Sequence, residues 1–238
     1  MKYLFFDLGG TLCDIPVHDK WTKITKEGAK KALRNLSIPE VKLNEFSNDF
    51  TTIKSKLRTR AKDTLEEFEI KTQFKEFLNS KKIKVSYDKL VQLERDFIST
   101  ELKISYLFSD TKDTLNQLSK NYEMYILSNN VSRVLVEEIL RINNIQNYFK
   151  KIYVSSDIGF RKPHVNFIKY VLNDLAVKPS QCVMIGDRLD QDIKMANESG
   201  IPSIFIDIIY HPDNLNKESI KPNFKIKSLK ELKKILLK

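Results

Sequence analysis

The first apolar run of the chain, Tyr3-Leu4-Phe5-Phe6, passes without a polar break into Asp7 and is followed by Gly9 and Gly10. A run apolar on both faces predicts a strand buried within a parallel sheet. Four later segments have the same form: residues 122–128, ending in Ser128; 151–155; 181–187, ending in Gly186 and Asp187; and 201–207. Between them apolar positions recur at helical spacing, predicting helices over 111–120, 131–142, 165–175 and 190–199. A last amphipathic helix carries Leu229, Leu232, Ile235 and Leu236. Strands alternating with helices predict an α/β fold, a doubly wound parallel sheet.

Residues 21–105 break that alternation. Trp21, Ile24, Gly28, Ala29, Ala32, Leu33 and Leu36 form one helical stripe, ended by Ser37-Ile38-Pro39. Leu43, Phe46, Phe50, Ile53 and Leu57 form a second; Leu65, Phe68, Phe74, Phe77 and Leu78 a third; Leu90, Leu93, Phe97 and Leu102 a fourth. No period-2 pattern interrupts them. The expected organisation is a core of residues 1–14 and 106–238 with an inserted all-helical unit over residues 15–105.

Composition narrows the class. The chain has 238 residues, 41% hydrophobic and 30% charged, as expected of a globular protein. No apolar run approaches the ~20 residues that span a bilayer. The first strand begins almost at once, which leaves no room for a signal peptide. Cys13 and Cys182 have neither disulfide nor metal spacing and read as buried free thiols. A cytoplasmic location is expected, with no membrane partner. The net charge of +10 is concentrated at the C-terminal end, with Lys221, Lys225, Lys227, Lys230, Lys233 and Lys234. Without an aromatic stacking pattern, this reads as a solvated surface rather than a nucleic-acid site.

The chemistry follows from the sheet. Open α/β sheets gather the carboxyl ends of their strands at one edge, which brings together Asp7, Ser128-Asn129, the Lys162 loop and Asp187. Asp7 and Asp187 offer the oxygen ligands that suit Mg²⁺. Ser128 and the amides of the following helix start can hold a phosphate oxygen. Lys162 can neutralise phosphate charge and keep Asp7 ionised. An ionised Asp so placed can act as a nucleophile.

These motifs resemble those of the haloacid dehalogenase superfamily of Asp-nucleophile hydrolases. Asp7-Leu8-Gly9-Gly10-Thr11 is similar to its first motif, and Ser128 after Tyr125-Ile126-Leu127 to its second. Lys162-Pro163, preceded by Gly159, is similar to the third, and Gly186-Asp187 with Asp192 to the fourth. The helical insertion resembles the family's cap between the first and second motifs. The resemblance implies Asp7 as nucleophile, with Asp7, Asp187 and the Gly9 backbone carbonyl as Mg²⁺ ligands. It also implies Ser128 and Lys162 as a phosphate clamp and Asp192 as support for the metal. Asn129 can add a phosphate contact through its amide. Asp190 reads as a helix-start cap, and Arg161 and His164 as surface charge; Arg58 and Arg60 are candidates for a second anionic group of the substrate, with exposed charge the simpler reading.

Gly9 departs from the family's phosphatases, which carry an Asp there as general acid and base. Metal binding can survive that loss, but proton transfer cannot come from glycine. The acid is then supplied elsewhere, for example by His18, or the substrates have good leaving groups, or activity is weak. The implied function is Mg²⁺-dependent hydrolysis of a small phosphomonoester through an aspartyl-phosphate on Asp7. A haloacid dehalogenase, in which Asp7 attacks carbon, and a non-catalytic phosphate-binding or regulatory protein are the alternatives.

Overall fold

The computed structural model describes residues 2–14, 20–209, 211–217 and 219–237. Its main sheet has six strands: β1 Tyr3–Phe6, β4 Glu123–Ser128, β5 Phe149–Val154, β6 Cys182–Gly186, β7 Ser203–Ile206 and β8 Phe224–Ile226. They run in the order β5-β4-β1-β6-β7-β8, all parallel. β1 lies inside the sheet between β4 and β6 and has no polar face: Leu4, Phe5 and Phe6 are fully buried. Phe6 lies level with Ile126 of β4 and Ile185 of β6. The three strand ends that carry Asp7, Ser128 and Asp187 therefore share one edge.

Helices cover both faces of the sheet. Leu4 and Phe6 pack on the side of α5 (Thr111–Leu118) and α6 (Arg133–Ile142). Phe5 packs with Tyr125, Tyr153 and Phe167 on the side of α8 (Val165–Leu175) and α9 (Lys194–Glu198). Ser155 opens the short helix α7 (Ser155–Ile158) instead of ending the strand before it.

The chain leaves and re-enters this core through a small antiparallel ribbon, β2 (Cys13–Asp14) paired with β3 (Tyr106–Leu107). Between them lie α1 (Trp21–Leu33), α2 (Glu40–Thr64), α3 (Ile70–Ser80) and α4 (Tyr87–Leu102). Their centre is aromatic: Phe50 stacks on Phe74 at 4.2 Å between centroids and meets Phe77 and Phe97 edge-on. Gly28 permits the close crossing of α1 and α4, since a Cβ there would come within 2.8 Å of the Phe97 carbonyl oxygen. The loop between α2 and α3 is tied to the loop before Lys162, through Glu67 N–H to Gly159 O and Arg161 N–H to Leu65 O, both 2.9 Å.

Several expectations are corrected. β2, β3 and β8 were not anticipated; they are two or three residues long, too short to show a period. The helix expected over 190–199 begins as a wide turn, Leu189–Ile193, in which Ile193 N–H reaches back five residues to Arg188 O at 3.2 Å. The expected amphipathic C-terminal segment buries Leu229, Leu232 and Leu236, the last two in α10 (Leu232–Leu236), and some of its lysines are paired. Lys225 pairs with Asp207 at 2.8 Å, and Lys233 pairs with Asp113 of α5. Cys13 and Cys182 are free and buried. No helix among the described residues is long and apolar enough to cross a membrane.

Candidate active site

The site is built on Lys162, whose ammonium is almost wholly buried. Its Nζ donates to Asp7 Oδ1, Asp192 Oδ1 and the Leu127 carbonyl, each at 2.6 Å. Three acceptors satisfy all three ammonium protons, the condition for burying a charge. Burial works against the charged form, but Asp192 and Asp7 outweigh it and hold the Lys162 pKa above its ordinary value.

Each carboxylate is placed by backbone. Asp7 follows β1, and its N–H continues the ladder to Ile185 O at 2.9 Å. Asp187 follows β6; its Oδ1 accepts from Thr11 Oγ1 at 3.4 Å and its carbonyl from Asn214 Nδ2 at 2.8 Å. Asp192 comes up from the wide turn. Its second oxygen accepts from Arg188 N–H at 3.1 Å, so both of its oxygens are engaged. Two glycines make the approach possible. A Cβ on Gly10, at φ +81°, would fall 2.2 Å from Asp187 Oδ2, and one on Gly186 would fall 2.3 Å from Asp192 Cγ.

Asp7, Asp187 and Asp192 each bring an oxygen within 4.8 Å of the others, and all three are buried. Burial, with Asp7 and Asp192 nearby, pushes the Asp187 carboxyl well above the usual range. Burial likewise raises Asp192 to about 6, against the pull of Lys162. Three acids facing one ammonium leave negative charge in a dry place. A hard divalent cation bound by oxygen fits that deficit and that donor set.

Ser128 ends β4 on the wall of a cavity of about 220 Å³ that also holds Asp7, Gly9, Gly10 and Asp187. Its hydroxyl has no hydrogen-bond partner among the described residues and is available to a ligand. Asn129 Oδ1 accepts from Lys162 N–H at 2.8 Å, and its Nδ2 donates to Lys162 O at 3.0 Å. That side chain is committed to holding the Lys162 loop, which leaves any phosphate contact to its backbone N–H.

The residues read as surface charge divide. Arg60 is exposed and pairs with Glu66 at 3.2 Å. Arg161 is half-buried, pairs with Glu67 at 3.7 Å and lines the Asp7 cavity. His164 is a helix cap instead: Nδ1 accepts from Asn166 N–H at 3.0 Å and the ring stacks on Phe160. Arg58 lies over the Trp21 ring at 4.8 Å. Asp190 is held by the Arg188 guanidinium at 3.0 and 2.9 Å. His18 lies outside the described residues.

Sequence reasoning missed several groups on the same cavity wall: Asp14, Glu101, Arg188, Gln191 and His211. Arg188 and Gln191 follow Asp187 closely enough that proximity to the motif was a usable signal. Glu101 ends α4, far away in sequence, and carried none.

A family model described as haloacid dehalogenase-like hydrolase matches residues 1–200. Glyceraldehyde 3-phosphate phosphatase of Methanothermobacter thermautotrophicus is 30% identical over 100 residues, 42% of this chain and 44% of that protein. The HAD-hydrolase YfnB of Bacillus subtilis is 31% identical over 125 residues, 52% of each chain. The chain thus matches about half the length of these relatives. A magnesium-bound structure of YfnB superposes with a TM-score of 0.63 over 99% of this chain and 98% of that one, at 23% identity. A 2-haloacid dehalogenase from Pseudomonas syringae superposes at 0.67, 20% identical, over 100% and 98%. With its four motifs meeting at one sheet edge and the family model spanning most of its length, this chain belongs to the haloacid dehalogenase-like hydrolases.

Proposed function

We propose that the protein is a Mg²⁺-dependent phosphatase acting on a small phosphomonoester. The observation that supports this most is Lys162 Nζ at 2.6 Å from Asp7 Oδ1, across a cavity from the unpartnered Ser128 hydroxyl. That lysine aims the Asp7 carboxylate, as a carboxylate nucleophile requires. Asp7 attacks phosphorus in line, the P–O bond to the leaving group breaks, and an aspartyl-phosphate forms. Water then attacks phosphorus, releasing phosphate and restoring the carboxylate. Ser128 holds a phosphoryl oxygen throughout, while the Lys162 ammonium, its three protons already placed, offsets phosphate charge from behind Asp7. Mg²⁺, held by Asp7, Asp187 and the Gly9 carbonyl, would neutralise phosphate charge, with Asp192 steadying Lys162 beside it. Helices α1–α4, within residues 15–105, act as a cap that excludes water and reads the leaving group.

The departing oxygen needs a proton that Gly9 cannot give. This one feature also suits the alternative in which Asp7 attacks a carbon bearing halogen. The acid cluster of Asp7, Asp187 and Asp192 favours phosphate chemistry, since a cation there has no role in displacing halide. The test is a screen of phosphate esters and 2-haloacids, with Mg²⁺ and with chelator. Phosphate release that requires Mg²⁺, with an acid-stable phosphoryl group trapped on Asp7, is expected. Metal-independent halide release would replace this reading by the dehalogenase one. Ligand binding without turnover would leave a non-catalytic phosphate-binding protein.

A further inference from the structure

Two cations of α2 take no part in the chemistry above. Lys54 and Arg58 are one helical turn apart and face a second cavity, of about 200 Å³, beside the Asp7 cavity. Glu101, Asn129, Asn130 and Arg161 line both cavities. A ligand with its phosphoryl group over Asp7 therefore has its other end directed toward α2.

Lys54 is only 6% exposed. Among the described residues it has no hydrogen bond and no ion pair; its Nζ sits over the Phe97 ring, 5.4 Å from the centroid. Arg58 is exposed, rests on Trp21 and, among the described residues, has no ion pair, so the burial argument rests on Lys54. The other charges here are accounted for. Arg161 faces Glu67, which also accepts from Ser155 Oγ at 3.1 Å. Glu101 is pushed toward its neutral form by burial, against the pull of Lys54 and Arg58. Burying a cation without a partner is costly. Such a group on a cavity wall points to a partner brought by a ligand.

We propose that Lys54 and Arg58 form a subsite for a second anionic group, a carboxylate or second phosphate, on the leaving-group side of the substrate. The substrate class is then phosphomonoesters of acidic molecules, not of neutral alcohols or sugars. This rests on the reading of Asp7 as a phosphoryl acceptor. The aromatic rings behind both cations hold them in place and keep water from their inner sides.

The test uses the full chain with Mg²⁺ and a series of ω-carboxyalkyl phosphates of increasing length, each matched to its alkyl phosphate. Bisphosphates of the same lengths form a second arm, separating a carboxylate site from a phosphate site. The acidic member should be preferred by about tenfold or more in kcat/KM, expressed mainly in KM, with an optimum at one chain length. Lys54→Gln and Arg58→Gln should each lower that ratio, whereas Lys56→Gln, on an exposed position of α2, should leave it unchanged. Calorimetry with ω-carboxyalkyl and alkyl phosphonates repeats the comparison without turnover, and circular dichroism confirms that the variants fold. Equal turnover of matched pairs in the unmodified protein overturns the subsite and leaves the phosphatase reading standing. If no ester is hydrolysed, a phosphonate preference that Lys54→Gln abolishes keeps the subsite while the phosphatase reading fails. Equal binding of the matched phosphonates overturns the subsite in either case.

Discussion

At the strand ends a buried lysine has three oxygens within 2.6 Å. In the neighbouring cavity a second buried lysine, Lys54, has an aromatic ring and, among the described residues, no oxygen partner. The two sites differ in what their charges are for. Lys162 is already paired before a substrate arrives, so it serves to orient Asp7 and loses nothing by reorganising during the reaction. Lys54, with no oxygen partner among the described residues, is on the proposal above a recognition group whose partner comes with the ligand. Paired charge at the reacting centre and unpaired charge beyond it is a physical division between catalysis and selection.

The strongest break in that contrast is at the nucleophile. Asp7→Asn should reduce phosphate release by roughly 10⁴- to 10⁶-fold, the range seen when a covalent nucleophile is removed. The protein should still bind alkyl phosphonates, as calorimetry would show; retained turnover would remove Asp7 from its role. Lys162→Met tests the paired side from its centre. It leaves Asp7 and Asp192 buried beside each other without their cation, and should destabilise the fold by about 3–5 kcal/mol, read by urea denaturation. Added Mg²⁺ should return part of this loss.

Lys54→Met should have the opposite sign, because it removes a buried charge instead of uncovering one. Burial lowers the Lys54 pKa from 10.5 to about 8, against the pull of Glu101 and Glu67 and with help from Arg58. Below about pH 8 the folded protein carries the full cost of a desolvated ammonium; between 8 and 10.5 the folded amine is neutral while the unfolded one is still charged, so the cost shrinks, and above 10.5 both are neutral and it is gone. The variant should therefore be more stable without ligand by up to about 3 kcal/mol near neutral pH. That advantage should shrink as pH rises above 8 in denaturation curves. A Lys54→Met protein less stable than the parent at pH 7 would show that the amine has a partner in the fold.

Much of the paired side was legible. Asp7, Ser128 and Asp187 each end an apolar run, and buried strands of a parallel sheet must deliver their ends to a common edge. The unpaired side was not. The α2 stripe of Leu43, Phe46, Phe50, Ile53 and Leu57 was read for its apolar residues alone; Lys54, one turn after Phe50, is buried with it, whereas Lys56 two positions away is exposed. Glu101 meets Asp7 only through the fold. β8 escaped because its three residues, Phe224 to Ile226, carry a lysine at their centre.

The finest test concerns Gly9, which lines the cavity between these two regions. Gly10, not Gly9, holds the left-handed backbone conformation, so an Asp at position 9 meets no φ penalty. Gly9→Asp should raise kcat on alkyl phosphates by about 10²-fold, with little gain on aryl phosphates. A series of esters graded in leaving-group pKa reads the change as a shallower slope. A flat slope in the unmodified protein would mean that another wall residue already gives the proton, with Glu101 the first to replace.

The β2–β3 ribbon has a consequence for how such a molecule changes over generations. Thr111 Oγ1 and Phe108 N–H both bond the Leu12 carbonyl, at 2.7 and 3.2 Å, so the outgoing and returning chain are fastened at one point. To the sheet, everything between is a closed loop whose ends are already together. The entropy of closing a loop grows only slowly with its length. Helices can accordingly be lengthened, traded or trimmed between those anchor points at small cost to the sheet, and the choice of substrate can drift while Asp7, Lys162 and Asp187 stay where they are.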